Sequence, residues 1–303
     1  MKRPATHWLV ARPAADLTPK VRALALRKSM QLNEYFERIF DPAVHNYTIV
    51  ICRVEKKFAK PELVPVNEVP QWRYPKLTVE HMCLLRGIRI ISAFNAIRSL
   101  LGCGYVQEIS VLLRTIDEFQ EDIVFLIENY PAKELSAQQQ QFMEEMGKEE
   151  YFDPNHPFAT QIIRQPPIRK KIKAADARFL SPVMNPSDSQ KISQITTDCL
   201  SGYVHGAYPH IMELYGGPPP TSRFHLTGLL GTPLMDLWMK TVAMYLQRTG
   251  PALGFMCHAF GMENEVQYLK LMKDWFVKEL QESLGCDMDY TPEGILKKIK
   301  EGN

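Results

Sequence analysis

Two stretches of the sequence hold the residue types that chemistry needs. In "LLRTIDEFQEDIVFL", residues 112–126, Arg114, Glu118 and Asp122 recur at every fourth position. On a helix such residues stack along one flank. Val111 and Phe125 share that flank, so charged and apolar groups alternate and the row reads as half-buried. A carboxylate taken out of water needs a partner, and Arg114 is the nearest one for Glu118. Two outcomes are open. The row lines a polar pocket in which Glu118 or Asp122 serves as acid, base or metal ligand. Otherwise it is a helix-surface ion pair, worth about 0.2–0.5 kcal/mol. Ser110, Asp117, Glu121 and Glu128 read as the fully polar, solvent-facing flank.

The second stretch is "SGYVHGAYPHIMELYGG", residues 201–217. His205 titrates near neutrality and suits a proton carrier or ligand; the alternative is a core histidine bonded to a carboxylate or carbonyl. Gly202 and Gly206 bare one helix face for close approach, and Pro209 bends or restarts the helix. His210 and Glu213, spaced H-x-x-E, form a weak chelating pair of a kind common by chance. Together the two stretches nominate Arg114, Glu118, Tyr203 and His205 as one polar cluster. Glu118 and His205 meet inside the fold, and Glu118→Ala costs about 1–3 kcal/mol through orphaned partners.

What must position these groups is helical. Thr18-Pro19 and Asp41-Pro42 are both helix-start signals. After the second, Val44, Tyr47, Ile51, Val54 and Phe58 keep helical spacing, although "YTIVICRV" (47–54) is β-branched enough to compete as a strand. Residues 60–77 carry four prolines and read as an extended surface connection. A strongly apolar helix follows and stops at "GCG", 102–104. The clearest helix spans 105–130. Its stripe of Val106, Ile109, Leu113, Ile116, Ile123 and Ile127 is broken only at Gln120. Ser136 with Gln139 signals the capping box of a peripheral helix, and helical character resumes near 189. Two more helices run from Thr232-Pro233 to about Gly250 and from near Met262 to Leu284, and a short tail at 291–303 is a further helix candidate.

Composition narrows the function classes. The 36 basic and 34 acidic residues leave a net charge of +2, which gives no global case for nucleic-acid binding. Arg164, Arg169, Lys170, Lys171 and Lys173 form one basic cluster that reads first as a solvated face and second as a phosphate-attracting patch. The six cysteines, Cys52, Cys83, Cys103, Cys199, Cys257 and Cys286, lack zinc-ligand spacing and read as reduced thiols. E-x-x-H, phosphate-loop, dinucleotide and serine-elbow motifs are absent from the sequence, so no cofactor or metal is expected. No stretch reads as a signal peptide or membrane span, which points to a cytoplasmic chain.

An R-x-x-x-E helix, here Arg114 and Glu118, followed some eighty to ninety residues later by "YVHG", resembles a family of uncharacterised, mainly bacterial helical proteins (DUF5677-like). The likeness spans about residues 80–215 and singles out Arg114, Glu118, Tyr203 and His205; it implies no activity. More distantly, the chain resembles the HEPN helical ribonucleases, whose arginine lies four to six residues before a histidine. Arg38 and His45 are the nearest such pair, with Asp41-Pro42 as a helix boundary between them.

The expectation is one all-α domain over 1–303, an irregular multi-helix bundle with a proline-rich excursion over 131–187. The favoured function is a scaffold or interaction role for a partner of unknown kind. A hydrolase with Glu118 and His205 as acid and base, or a nucleic-acid module through 164–173, are the alternatives.

Overall fold

The computed structural model describes residues 31–66, 69–147, 172, 185–217 and 220–284. The Thr18 helix start, the basic cluster at 164–173, most of the proline-rich excursion and the 291–303 tail lie outside these residues.

Phe36–Phe40 wind as a π turn that runs straight into helix α1, Asp41–Lys57. Asp41 does not cap a new helix, as its position before Pro42 predicts. Its backbone is helical (φ −62°, ψ −44°) and its N–H bonds to the Phe36 carbonyl. The physical reason lies in Pro42, whose ring would press on the carbonyl four residues back in a normal turn. Widening that turn to π spacing makes room. The Asp41 carboxylate instead accepts from Arg98 Nε (2.6 Å) and Nη2 (2.8 Å). Residues 47–54 are helix, because Tyr47, Val50, Ile51 and Val54 bury one face at helical spacing.

The proline-rich segment departs from its reading as a plain connection. It folds into an antiparallel hairpin of β1 (Glu62–Val66) and β2 (Val69–Arg73), with Pro65 opposite Pro70. A two-stranded ribbon leaves each strand an unpaired edge, where proline's missing donor goes unnoticed.

Helix α2 (Val79–Cys103) begins at Thr78 in a capping box with His81 and ends at Gly104, whose φ is 77°. Helix α3 (Val106–Ile127) is the spine of the molecule; it packs against α2, α5 and α7. Its predicted apolar stripe is buried throughout. Helix α4 (Ala137–Gly147) opens with the expected box: Gln139 N–H donates to Ser136 Oγ (3.3 Å) and Ser136 N–H to Gln139 Oε1 (2.9 Å). It is less peripheral than its polarity suggests. Gln139 Nε2 donates to the Phe125 carbonyl (2.7 Å), closing the end of α3, and Phe142 is buried against Phe125.

Helix α5 (Pro186–Val204) is capped by Asn185, whose side chain accepts from Ser187 N–H. The short α6 (Tyr208–Met212) and a two-residue ribbon of β3 (Tyr215–Gly216) and β4 (Arg223–Phe224) follow. Helix α7 (Pro233–Ala259) and helix α8 (Glu263–Leu284) pack on each other. Helix α7 does not stop near Gly250 but runs through Gly250-Pro251. The Tyr47 hydroxyl of α1 enters the backbone ladder there: it donates to the Leu246 carbonyl (2.6 Å) and accepts from the Gly250 N–H. The ladder interrupted at Pro251 is thus reinforced one residue earlier from a neighbouring helix. Burial pushes the Tyr47 hydroxyl well above the ordinary tyrosine pKa.

The fold is all-α apart from the two small ribbons. No helix among the described residues is long and apolar enough to cross a membrane.

Candidate functional site

Helix α3 carries its charges into the interior. Arg114 Nη2 lies 2.6 Å from Glu118 Oε1, with side chains 16% and 33% exposed. The half-buried row is therefore real, and Asp122, the next member, is fully buried 3.0 Å from Arg86 Nε of α2. The Arg86 guanidinium also lies over the Phe119 ring, 4.9 Å from its centre. The flank read as solvent-facing is not so. Ser110, Asp117 and Glu121 are all buried. Helix α7 covers that side and answers it in kind. Arg248 Nη1 lies 2.9 Å from Asp117 Oδ1, and Gln120 Nε2 donates to Thr249 Oγ1 at 2.7 Å. The Gln120 gap in the apolar stripe is thus a buried cross-helix hydrogen bond. Tyr245 sits beside these charges, and burial together with the Asp117 carboxylate raises its pKa.

The 201–217 stretch builds a second cluster. Tyr203 donates its hydroxyl to the Glu213 carboxylate, whose oxygens are 2.8 and 2.9 Å away. Its ring stacks on His210 at 3.9 Å and meets the edge of Trp238 at 5.4 Å. His210 Nδ1 is 3.8 Å from Glu213. Gly202 is what admits that imidazole: a Cβ there would lie 2.3 Å from His210 Nε2. The bared face read from Gly202 and Gly206 is filled by a side chain at Gly202, not by a helix backbone. The Gln107 amide of α3 donates to the His210 carbonyl and ties the cluster to the spine.

The four sequence candidates therefore divide. Arg114 and Glu118 are bonded on α3, and Tyr203 is held by Glu213. His205 is the C-cap of α5; its N–H bonds to the Ser201 carbonyl (3.0 Å), and its side chain is exposed with no partner among the described residues. This corrects the expectation that Glu118 and His205 meet in the interior. Pro209 restarts the helix directly after His205, and the following turn brings His210 inward in its place. Helical spacing cannot register such a restart. Glu213, His210, Arg86, Asp117 and Arg248 are the residues that sequence reasoning undervalued. Only the H-x-x-E spacing signalled any of them.

Arg38 is committed elsewhere, with Nη2 2.8 Å from Glu279 Oε2 and 3.3 Å from Glu282 Oε2 of α8, while His45 is exposed. Among the described residues, no three His, Cys, Asp or Glu side chains group as metal ligands would.

The tyrosines give the site a pH signature. Burial, then the Glu213 hydrogen bond and charge, raise the Tyr203 pKa; burial, then Glu80, raise Tyr130 to about 12. A group whose folded pKa lies above its unfolded value stabilises the fold fully below the unfolded pKa and ceases to do so as pH rises through the folded one. Stability is thus expected to hold up to about pH 10 and then fall. Urea midpoints measured across pH 8–12 check this. Tyr203→Phe removes a charge-assisted hydrogen bond worth about 1.5 kcal/mol at neutral pH and makes the alkaline fall shallower.

The chain on either side of this second cluster exposes many large apolar side chains. Ile195, Val204, Tyr208, Ile211, Leu226, Leu230 and Leu237 are exposed, as are Tyr215 and Phe224, which pack edge to face at 5.0 Å. The loop carrying Leu229 bonds by its N–H to the Gly104 carbonyl (2.8 Å), which sets that loop at the α2–α3 corner. Comparison of the chain with protein-family models, with curated proteins and with solved structures finds no match in any of the three.

Proposed function

We propose that this chain is a helical scaffold that binds another protein through the surface formed by residues 195–237. The observation that carries the reading is the concentration of exposed large apolar side chains there, led by Tyr208 at 76% and Leu226 at 79% exposure. Scattered single apolar residues are ordinary, but nine exposed large apolar side chains within one short stretch of chain give that stretch an unusual amount of apolar surface to cover. Aromatic residues such as Tyr208 and Tyr215 are typical anchors at interfaces. The buried acids support the same reading. Asp117 and Asp122 are each held by an arginine of a neighbouring helix, an arrangement suited to fixing helix registry. A hydrolase built on Glu118 and His205 needs the two groups face to face, whereas His205 is turned to solvent.

The test places a photo-crosslinking amino acid at Leu226, with Glu55 on α1 as a control position. Crosslinking in cells is expected to give one adduct of defined mass from position 226 and none from 55. Glu118→Ala and His205→Ala leave that adduct unchanged, and each costs about 1 kcal/mol or less, since both side chains are partly or largely in water. The same product pattern from 226 and 55 would falsify the assignment.

A further inference from the structure

Helices α7 and α8 enclose an apolar groove of about 370 Å³ whose lining shares no residue with the 195–237 segment. This falls within the range of roughly 300–1,000 Å³ typical of small-ligand sites. Its floor is glycine-lined. Gly250 and Gly254 face it, and a Cβ at Gly254 would meet only Leu269 Cδ1 at 3.9 Å. Phe255, Leu269, Met272 and Phe276 supply its walls. The Tyr47 hydroxyl at one end is already engaged by the α7 backbone, so it adds little polarity. Gln247 brings one further polar group to the lining, an amide oxygen that is buried without a hydrogen-bond partner.

The charge on the lining is one-sided. Lys270 and Lys273, one face of α8, both line the groove and form no ion pair among the described residues. The one acid in the lining, Glu263, is bonded to His258 Nδ1 at 2.8 Å. An apolar trough with two uncommitted ammonium groups matches a molecule with a hydrocarbon body and one anionic head. We infer that this groove binds an amphipathic monocarboxylate, with the chain laid along Gly254, Leu269 and Phe276 and the carboxylate held by Lys270 and Lys273. The inference does not depend on the interaction surface proposed above.

The full chain is titrated with the fluorescent polyene acid cis-parinarate, which is then displaced by dodecanoate or by dodecanol. Saturable binding of the probe is expected, with dodecanoate displacing it about tenfold more effectively than the neutral alcohol, the worth of two exposed charge contacts. In the surface double variant Lys270→Glu/Lys273→Glu the acidic probe itself binds more weakly, and once its new affinity is taken into account the preference for dodecanoate is gone while the affinity for dodecanol is unchanged. Gly254→Leu fills the trough and removes binding of both; its helical circular dichroism stays that of the parent. Leu226→Asp changes none of these values, which separates the groove from the exposed patch. Equal displacement by acid and alcohol in the parent overturns the head-group assignment. Undiminished binding in a folded Gly254→Leu protein, or no saturable binding at all, overturns the site.

Discussion

Asp122→Ala is expected to lower the stability of the fold by about 3–5 kcal/mol, because it leaves the Arg86 guanidinium mostly buried without its carboxylate. Asp122 is fully buried, and Arg86 is only 16% exposed between Phe119 and Phe142. The cation cannot easily swing to water, since its ring contacts hold it over the aromatic faces. Desolvation of both ions opposes their attraction, so the pair as a unit adds little net stability. That asymmetry gives the prediction its second half. Arg86→Met with Asp122→Leu keeps the volume apolar and is expected to fall within about 1 kcal/mol of the parent, or above it. Urea denaturation of the parent, the single variant and the double variant measures both. A loss below about 1 kcal/mol in the single variant would mean that Arg86 finds water or another acid.

Gly228→Ala is expected to cost about 3 kcal/mol and to loosen the 195–237 surface with it. Gly228 has φ of 98°, where a side chain is strained by about 1–2 kcal/mol. A Cβ there would also lie 2.1 Å from the Cys103 carbonyl oxygen, so the loop must lift from the end of α2, adding a further 1–3 kcal/mol of overpacking. Gly104 opposes it across the same contact, with φ of 77° and the Leu229 and Leu230 N–H groups where its Cβ would be. Gly102→Ala is the control. No atom lies within 4 Å of its added Cβ, and in a helix the change is neutral or stabilising by about 0.5–1 kcal/mol. Thermal unfolding of the two alanine variants separates them. Hydrogen exchange at Leu229, whose N–H bonds to Gly104, reports whether the loop has lifted.

The architecture was largely legible because period and punctuation agreed. Helix α3 combined a buried stripe with glycine and proline at its borders, and Ser136 with Gln139 made the box that their spacing foretold. Sequence reasoning failed where a partner from another element decides the outcome. Asp117 and Glu121 looked like water-facing residues because nothing local announces that Arg248 and Thr249 will lie opposite. Pro42 and Pro251 looked like boundaries because their local cost is clear, while the remedies come from a widened turn and from Tyr47. The site was half legible. Arg114 with Glu118 and the chemistry of Tyr203 lay in plain spacing. Which histidine turned inward depended on a restart at Pro209 that no periodicity records.

The Tyr47 bridge also bears on how the molecule breathes. A hydroxyl threaded between Leu246 and Gly250 couples two helices far apart in the chain, so neither can fray there without releasing the other. The middle of α1 and the middle of α7 then belong to one cooperative opening unit, while the β1–β2 hairpin is free to open alone. Deuterium uptake at Gly250 and at Val50 should accordingly follow a single denaturant slope, steeper than that of the hairpin, and Tyr47→Phe should split the two curves.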